Sequence, residues 1–564
     1  MFSKCAKIVA PTGGPKDTIA PILVRSIPAM NSLNFKGEKL TLTFNEFIVL
    51  KDIQKNLAIS PPMVKKPIIN QRGKSIDIQL KELLKENTTY SLYFADAIVD
   101  YNEGNPLKNF VFAFSTGNII DSLTVSGILT NSFTLLPEDN AFVMLYDKQN
   151  DSVPIKEIPR YLTKTNKKGL FIFKNLQLND YKVFALRDNN SNYKFDQVSE
   201  DIAFLNESLK KEMLKGPSTI DTSRFAKREL YLNMFKENSR IQALTGFSRP
   251  QRRKLALPFT KKPEGQIILN PLNVKVEGDW FVRETNQLQD SVIFWITDDR
   301  ISSIDTLKIQ VSYLKTDSLQ HLQPKLDTLR FIYVDKESPR KRRGDKDKDE
   351  AKVIYLKAKC SFITSQIVKP TIPFEITLPT PLKTIDENCI SITNLTDSST
   401  IGEIKLVKDS LNPRLYRYNS TWASDVYYKL VVLPGAFTSI DGLVNDTLKV
   451  TYKGANPENF GVLNITLLNV KQTVIVELLN DKRTQVFEQK IVQPGEKAII
   501  NFIAPGKYTL RFIEDSNHNG KWDTGWYLKG IQPEKVFNYV EGKTKGVLNI
   551  RANWENEITF DFAK

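Results

Sequence analysis

The chain is poor in the side chains that most catalysis uses. Its 564 residues hold two histidines, His321 and His518, far apart and neither near a nucleophile motif. Ser/His/Asp catalysis therefore has no basis. Three cysteines, Cys5, Cys360 and Cys389, are too few for a disulfide scaffold, and no zinc-type Cys/His spacing occurs. Cys360 and Cys389 fall in one stretch and either pair or remain buried thiols. No phosphate loop or dinucleotide fingerprint is present. Asp298-Asp299 reads as a surface turn, because glycosidase chemistry needs carboxylates across a cleft. No apolar run reaches the roughly 18 residues of a membrane-spanning helix. These absences point to a protein that is not an enzyme and carries no cofactor.

What is plentiful is aromatic. With 32 Phe, 19 Tyr and 41% hydrophobic residues, the composition suits packed cores and favours strands over helices. The net charge of +15 is concentrated. One cluster runs through Arg240, Arg249, Arg252, Arg253, Lys254, Lys261 and Lys262, and a second is Arg340-Lys341-Arg342-Arg343. No nucleic-acid motif accompanies either, so nucleic acid is not an expected partner. The stretch 249–254 is a candidate contact for an acidic partner or lipid headgroups, or else a solvated loop. Arg343-Gly344-Asp345 lies in a charged linker and reads as coincidence.

A chain of this length divides into several domains. Residues 18–119 alternate apolar and polar, as in Leu40-Thr41-Leu42-Thr43-Phe44 and Ser75-Ile76-Asp77-Ile78-Gln79-Leu80, with Asn/Gly/Pro turns between. Residues 120–206 add Ala141-Phe142-Val143-Met144-Leu145-Tyr146 and Tyr181-Lys182-Val183-Phe184-Ala185-Leu186. Residues 207–240 read as a connector whose segment 228–235 is equally compatible with helix or strand. Strands return over 241–336, a charged linker spans 337–352, and two further sandwiches occupy 353–455 and 456–564. The fold class is all-β, a row of tandem β-sandwiches behind a lead of residues 1–17.

Residues 21–28, Leu40-Thr41-Leu42-Thr43-Phe44-Asn45-Glu46 and Phe112-Ala113-Phe114-Ser115-Thr116-Gly117 resemble the bacterial Ig-like module of surface proteins. With Cys5-Ala6 and Pro11-Thr12-Gly13-Gly14-Pro15-Lys16-Asp17, this opening resembles Ig-like outer-membrane lipoproteins of Bacteroidota. Gly169-Leu170-Phe171-Ile172-Phe173 followed by Tyr181-Lys182-Val183 looks like the carboxypeptidase-regulatory, transthyretin-like sandwich, a module that implies no peptidase. An Ig-like character is expected for 353–455 as well.

One pattern occurs twice. Asp188, Asn190, Asn192 and Asp196 are spaced as Asp515, Asn517, Asn519 and Asp523, each set seven residues after a tyrosine. The transthyretin-like module is therefore read as duplicated, in 120–206 and 456–564. Alternate oxygen-bearing side chains at positions 1, 3 and 5 can wrap a hard cation. Asp515, Asn517, Asn519 and Asp523 are the candidate calcium ligands, with Gly520 at the turn position. The competing reading is a set of Asx turns between strands. Trp526 stands where a bidentate Glu would complete a calcium loop, and Tyr193 and Ser199 hold the turn and closing positions of the first copy.

Cys5 is the candidate lipidation site, followed by a Pro/Gly tether that cannot bury it. Only Met1–Lys4 precede it, and Lys4 stands where a lipobox wants a small residue. Acylation there would anchor the chain to a membrane. The resemblance then implies an outer-membrane lipoprotein, surface-exposed rather than periplasmic. Its expected role is an accessory or scaffold subunit for a β-barrel protein or complex. The alternative is an adhesin or glycan binder, with Trp526, Tyr527 and Trp554 as candidate platforms.

Overall fold

The computed structural model describes residues 17–216, 230–334, 354–540 and 546–563, apart from Asn109, Ser191, Val198, Glu277 and 318–320. Cys5, its tether and the charged linker with Arg343-Gly344-Asp345 lie outside the described residues. Almost every element is a strand, and the strands form five successive β-sandwiches. The all-β tandem architecture follows from side-chain period. In Lys39–Phe44, Leu40, Leu42 and Phe44 are buried while Thr41 and Thr43 face outward.

The first sandwich sets Leu23–Ile27, Lys39–Phe44, Ser75–Gln79 and Ile68–Arg72 against Ala58–Ser60, Thr89–Tyr93 and Val111–Ser115. Phe94, Phe112 and Phe114 fill its interior. The third packs a four-stranded sheet on a three-stranded one that ends in the long hairpin Thr306–Thr316 and Leu322–Ile332. The fourth packs two four-stranded sheets around Phe374, Trp422 and Tyr452. Cys360 and Cys389 are free thiols, each half-buried against that core. The pairing left open above does not form.

The second and fifth sandwiches share one topology. In the second, Tyr161–Lys164, Phe142–Tyr146, Lys182–Leu186 and Asp201–Phe204 lie side by side, followed by Leu230–Lys236, Leu123–Asn131 and Leu170–Leu176. In the fifth, Val486–Val492, Val474–Asn480, Gly506–Glu514 and Val536–Asn538 form one sheet. Its other sheet holds Glu555–Asp561, Gly461–Leu468 and Lys497–Ile503. Taken in chain order the two sets correspond strand for strand, except that the fifth adds Leu548–Ile550 beside Gly506–Glu514. In both, the last strand pairs in parallel with the first.

That correspondence corrects one boundary. Leu230–Lys236 is no connector but a strand of the second sandwich, parallel to Leu123–Asn131 and antiparallel to Asp201–Phe204. Its period was two, since Leu230, Leu232 and Met234 are buried and Tyr231 and Asn233 exposed. A parallel partner a hundred residues away gives no local turn signal, which is why the strand reads as linker.

Candidate functional site

Some strands of the two repeated sandwiches are buried on both faces. Val143–Tyr146 and Val183–Leu186 are covered inside and out, as are Val474–Leu479 and Tyr508–Ile513. One face of each sheet makes its own core. The other face of each is covered by a loop of the other sandwich. Phe133 and Leu135, from a loop of the second sandwich, pack on Ile475, Ile513, Val536 and Trp522 of the fifth. Phe133 lies 4.9 Å from Trp522, centroid to centroid, with the Arg511 guanidinium 4.2 Å over its ring. Arg511 itself pairs with Glu477 across neighbouring strands at 2.6 Å, both nearly buried.

In return the fifth sandwich inserts Tyr527 into the second. Tyr527 is 5% exposed and sits edge-on to Phe184, Phe195 and Phe204, with centroids 5.5, 6.1 and 5.3 Å away. Aromatic edge-to-face pairs add to the area they bury. Its N–H donates to Glu237 Oε1 at 2.6 Å. Thr524 Oγ1 donates to the Lys236 carbonyl at 2.6 Å, and Gln532 Nε2 to the Phe204 carbonyl at 2.9 Å. Trp526 lies under the Arg240 guanidinium at 3.4 Å and the Lys529 ammonium at 3.8 Å. Burial pushes the Tyr527 phenol up. Its hydroxyl is buried with no hydrogen-bond partner among the described residues. Gly525 must be glycine, because a Cβ there would lie 2.6 Å from Phe235 Cζ and 2.8 Å from the Ile531 carbonyl oxygen.

The Asp/Asn loops hold these segments in place. Asp515 is fully buried and accepts from the N–H groups of Asn519 at 3.1 Å and Gly520 at 2.8 Å. Asn517 Nδ2 and Asn519 Nδ2 both donate to Asp523 Oδ2 at 2.5 Å. The first copy repeats the wiring. Asp188 Oδ2 accepts from Tyr193 N–H at 2.8 Å, while Asn190 and Asn192 donate to Asp196 at 3.1 and 2.6 Å. Gly520 and Tyr193 occupy the same turn position, both with positive φ. In this arrangement the amide nitrogens turn inward, the geometry of Asx turns. Among the described residues no group of three or more His, Cys, Asp or Glu side chains is placed to hold a metal.

A second carboxylate closes each loop, and the spacing alone does not mark it. Glu200 Oε1 and Oε2 accept from Asn189 and Asp196 N–H, both at 3.2 Å. Glu534 does the same for Ser516 at 2.7 Å and Asp523 at 3.0 Å. Glu200 is fully buried, and burial pushes its carboxyl up. It follows Asp196 by four residues, whereas Glu534 follows Asp523 by eleven. A buried acid after each Asp/Asn run was the available signal, hidden by the unequal gap.

The basic stretch 249–254 is occupied internally. Arg249 is 6% exposed and donates to the carbonyls of Arg252, Ser302 and Ile304. Burial pushes its guanidinium down to about 10. Arg252 pairs with Asp305, and Arg253 pairs with Asp299 and with Asp441 of the fourth sandwich. Beside it, buried Glu284 accepts from Trp295 Nε1 at 2.7 Å and from Arg414 of the fourth sandwich at 2.8 and 2.7 Å. Asp298 caps the short helix Asp299–Ser302. The His321 backbone N–H donates to Asp317, and His518 Nδ1 is hydrogen-bonded to Thr473 Oγ1.

Residues 17–116 match the profile of the bacterial Ig-like domain family. No curated protein matches the chain. Among solved structures, the chain is similar to native α-2-macroglobulin from Escherichia coli, domains MG0-NIE-MG1. There the identity is 11% and the TM-score 0.16, over 32% of this chain and 71% of that one. It is also similar to the S-layer protein rSbsC(31-844), at 10% identity and TM-score 0.15 over 93% of this chain and 67% of that one. The BSP domain of a biofilm associated protein gives 10% and 0.15, over 91% and 97%. At these scores no role carries across. The first sandwich is a bacterial Ig-like module at the head of a chain of tandem β-sandwiches.

Proposed function

We propose that this chain is a non-enzymatic binding protein of the bacterial envelope. In this reading Cys5 anchors it to the outer membrane, the chain faces the cell surface, and it serves as a scaffold subunit for a β-barrel protein or complex. The observation that carries the binding role is an unguarded sheet edge. Val486–Val492 is the outermost strand of its sheet, and it exposes Val486, Phe487 and Ile491. Edge strands offer unpaired backbone groups to a partner strand, and exposed apolar side chains add affinity. Trp526 and Tyr527, which form a latch from the fifth sandwich into the second, are by contrast committed to contacts within the chain.

Affinity purification from solubilised outer membranes should recover a stoichiometric barrel partner. The double variant Phe487→Glu/Ile491→Lys should lose that partner without a change in melting temperature. A lone monomer from native membranes overturns the reading. Palmitate labelling lost on Cys5→Ala, and protease shaving of intact cells, test the anchor and the exposed face. The adhesin reading retains one candidate platform, Trp554, which is 56% exposed beside Arg551. A glycan array without binding disposes of it.

A further inference from the structure

The chain enters the first sandwich at one end and leaves it at the other. At the entry, the Asp17 carbonyl accepts from Asn105 Nδ2 at 3.0 Å. Ile22 N–H donates to Asn45 Oδ1 at 2.7 Å, and Asn45 N–H to the Ile22 carbonyl at 3.0 Å. Leu23–Ile27 then runs the length of the sandwich, and beyond it Asn34 N–H donates to the Gly117 carbonyl at 2.8 Å. There Asp121 N–H meets Thr89 Oγ1 at 3.0 Å as the chain passes to the second sandwich.

The entry end is apolar and exposed. Tyr101 N–H donates to the Phe47 carbonyl at 2.9 Å, and Phe47 stands two residues beyond Asn45. Ile19, Ile22, Phe47 and Tyr101 are each more than half exposed. Single apolar residues on a surface are ordinary, whereas several at one end mark a contact. Lys74 stands beside them. Its ammonium donates to the Asn45 carbonyl at 2.9 Å and lies 5.5 Å from the Phe47 ring centroid. Aromatic rings flanked by a long basic side chain suit the headgroup layer of a bilayer, where the ring is half-immersed and the ammonium stays in water.

Where the chain comes from decides what covers this end. Asp17 is twelve residues beyond Cys5, a reach of at most about 40 Å. Acylation of Cys5, the reading on which this inference rests, holds the entry end within that reach of a membrane, at high effective concentration. We propose that the entry end of the first sandwich rests on the bilayer surface, with Ile22, Phe47 and Tyr101 among zwitterionic headgroups. Charge selects the lipid class. Burial first, then Asp100, Asp17 and Glu103, push the Glu46 carboxyl up, with Lys74 opposing them. Lys51 Nζ lies beside Gly104. Four carboxylates against two ammonium groups disfavour an anionic lipid surface and leave a neutral one as the match. The contact fixes how the first sandwich stands on the membrane, which a tether alone leaves free.

Sedimentation of the full chain carrying Cys5→Ala with phosphatidylcholine vesicles tests the surface without an acyl chain. The protein should pellet with the vesicles. Phe47→Ser/Tyr101→Ser should weaken binding about tenfold per ring, with unchanged melting. Vesicles brominated in their acyl chains should quench the fluorescence added by Phe47→Trp. They should not quench that of Leu83→Trp, exposed at the exit end near Lys85, whose carbonyl accepts from Thr116. No binding, unchanged binding in the double variant, or equal quenching at both positions overturns the proposal. So does binding that needs phosphatidylglycerol and survives loss of both rings, which assigns it to the net charge of +15. Loss of the barrel partner in the double variant, with vesicle binding unchanged, gives this end to a protein instead. Palmitate labelling of the parent keeps the two readings apart. Vesicle binding without label at Cys5 removes the anchor and leaves the surface contact standing, and label without vesicle binding does the reverse.

Discussion

The second and fifth sandwiches are one fold used for two purposes, and the difference lies in a single loop. Both loops start from an Asp, run through two Asn residues to a second Asp, and are closed by a buried Glu. In the second sandwich the closing Glu200 follows at once, and the loop turns toward the first sandwich through Tyr193. In the fifth, the longer gap before Glu534 carries Gly525, Trp526 and Tyr527 into the second sandwich. A conserved-looking pattern of turn chemistry therefore sets the base of the loop, while the extra residues decide what the loop reaches. The outer face of each sheet is covered by groups from the other sandwich, apolar in the second and mixed in the fifth, where the Arg511–Glu477 pair is buried beneath Phe133.

The largest test breaks the latch. Tyr527→Ala removes an aromatic side chain from a buried cluster, at about 3–5 kcal/mol. Melting of the full chain should drop, and hydrogen exchange should rise in Lys182–Leu186 and Val536–Asn538 together. Tyr527→Phe removes only the unpartnered hydroxyl and should be neutral or stabilising. If both variants melt alike, Tyr527 is not buried between the sandwiches. Gly525→Ala should behave like the alanine at 527, because its Cβ meets Phe235 and backbone that cannot yield.

The strands were legible in the sequence where their period was two and their turns were near. Leu40-Thr41-Leu42-Thr43-Phe44 shows both, and so does the duplicated Asp/Asn spacing. Runs such as Ala141–Tyr146 carried a further signal, since continuous apolar residues mark a strand covered on both faces. What covers them was not legible. Phe133 and Trp522 are almost four hundred residues apart, and no local pattern records which loop meets which sheet. Arg249 to Lys254 looked like surface charge for the same reason. Besides that of Arg252, the carbonyls that Arg249 satisfies come from 302–305, beyond four intervening strands. Glu200 and Glu534 were hidden by an insertion that leaves their hydrogen bonds intact.

A smaller effect separates the two sandwiches by pH. Burial first, and then Lys66, push Lys164 down to about 8 in the folded chain, against 10.5 for an ordinary lysine. Between these values the unfolded chain binds the proton and the folded chain does not, so stability rises with pH. At about 1.4 kcal/mol per unit, the gain from pH 7.5 to 9.5 is about 2 kcal/mol. The groups facing this ammonium are Lys66, Asp188, Asn140 and Phe142. Denaturant midpoints should climb over that range in the parent and stay flat in Lys164→Met. Exposed Ile491 faces Ile475 in the fifth sandwich as Lys164 faces Phe142 in the second, and Ile491→Lys should add no slope. A rise that persists without Lys164 assigns it to another group.

The smallest effect compares the two loop-opening aspartates. Asp515 is fully buried at the base of the latch whereas Asp188 is half-buried, and Asp515→Ala should cost more than Asp188→Ala by about 1 kcal/mol. The same pair of variants separates the two readings of the loop. As Asx turns, the loops draw their stability from hydrogen bonds inside the chain, and millimolar calcium leaves the parent's melting temperature and protease resistance unchanged. As a cation site at Asp515, Asn517, Asn519 and Asp523, the fifth sandwich alone gains stability with calcium, and Asp515→Ala removes the gain. The inward-turned amides of Asn517 and Asn519 favour the first outcome, because a bound cation would require both to present oxygen instead.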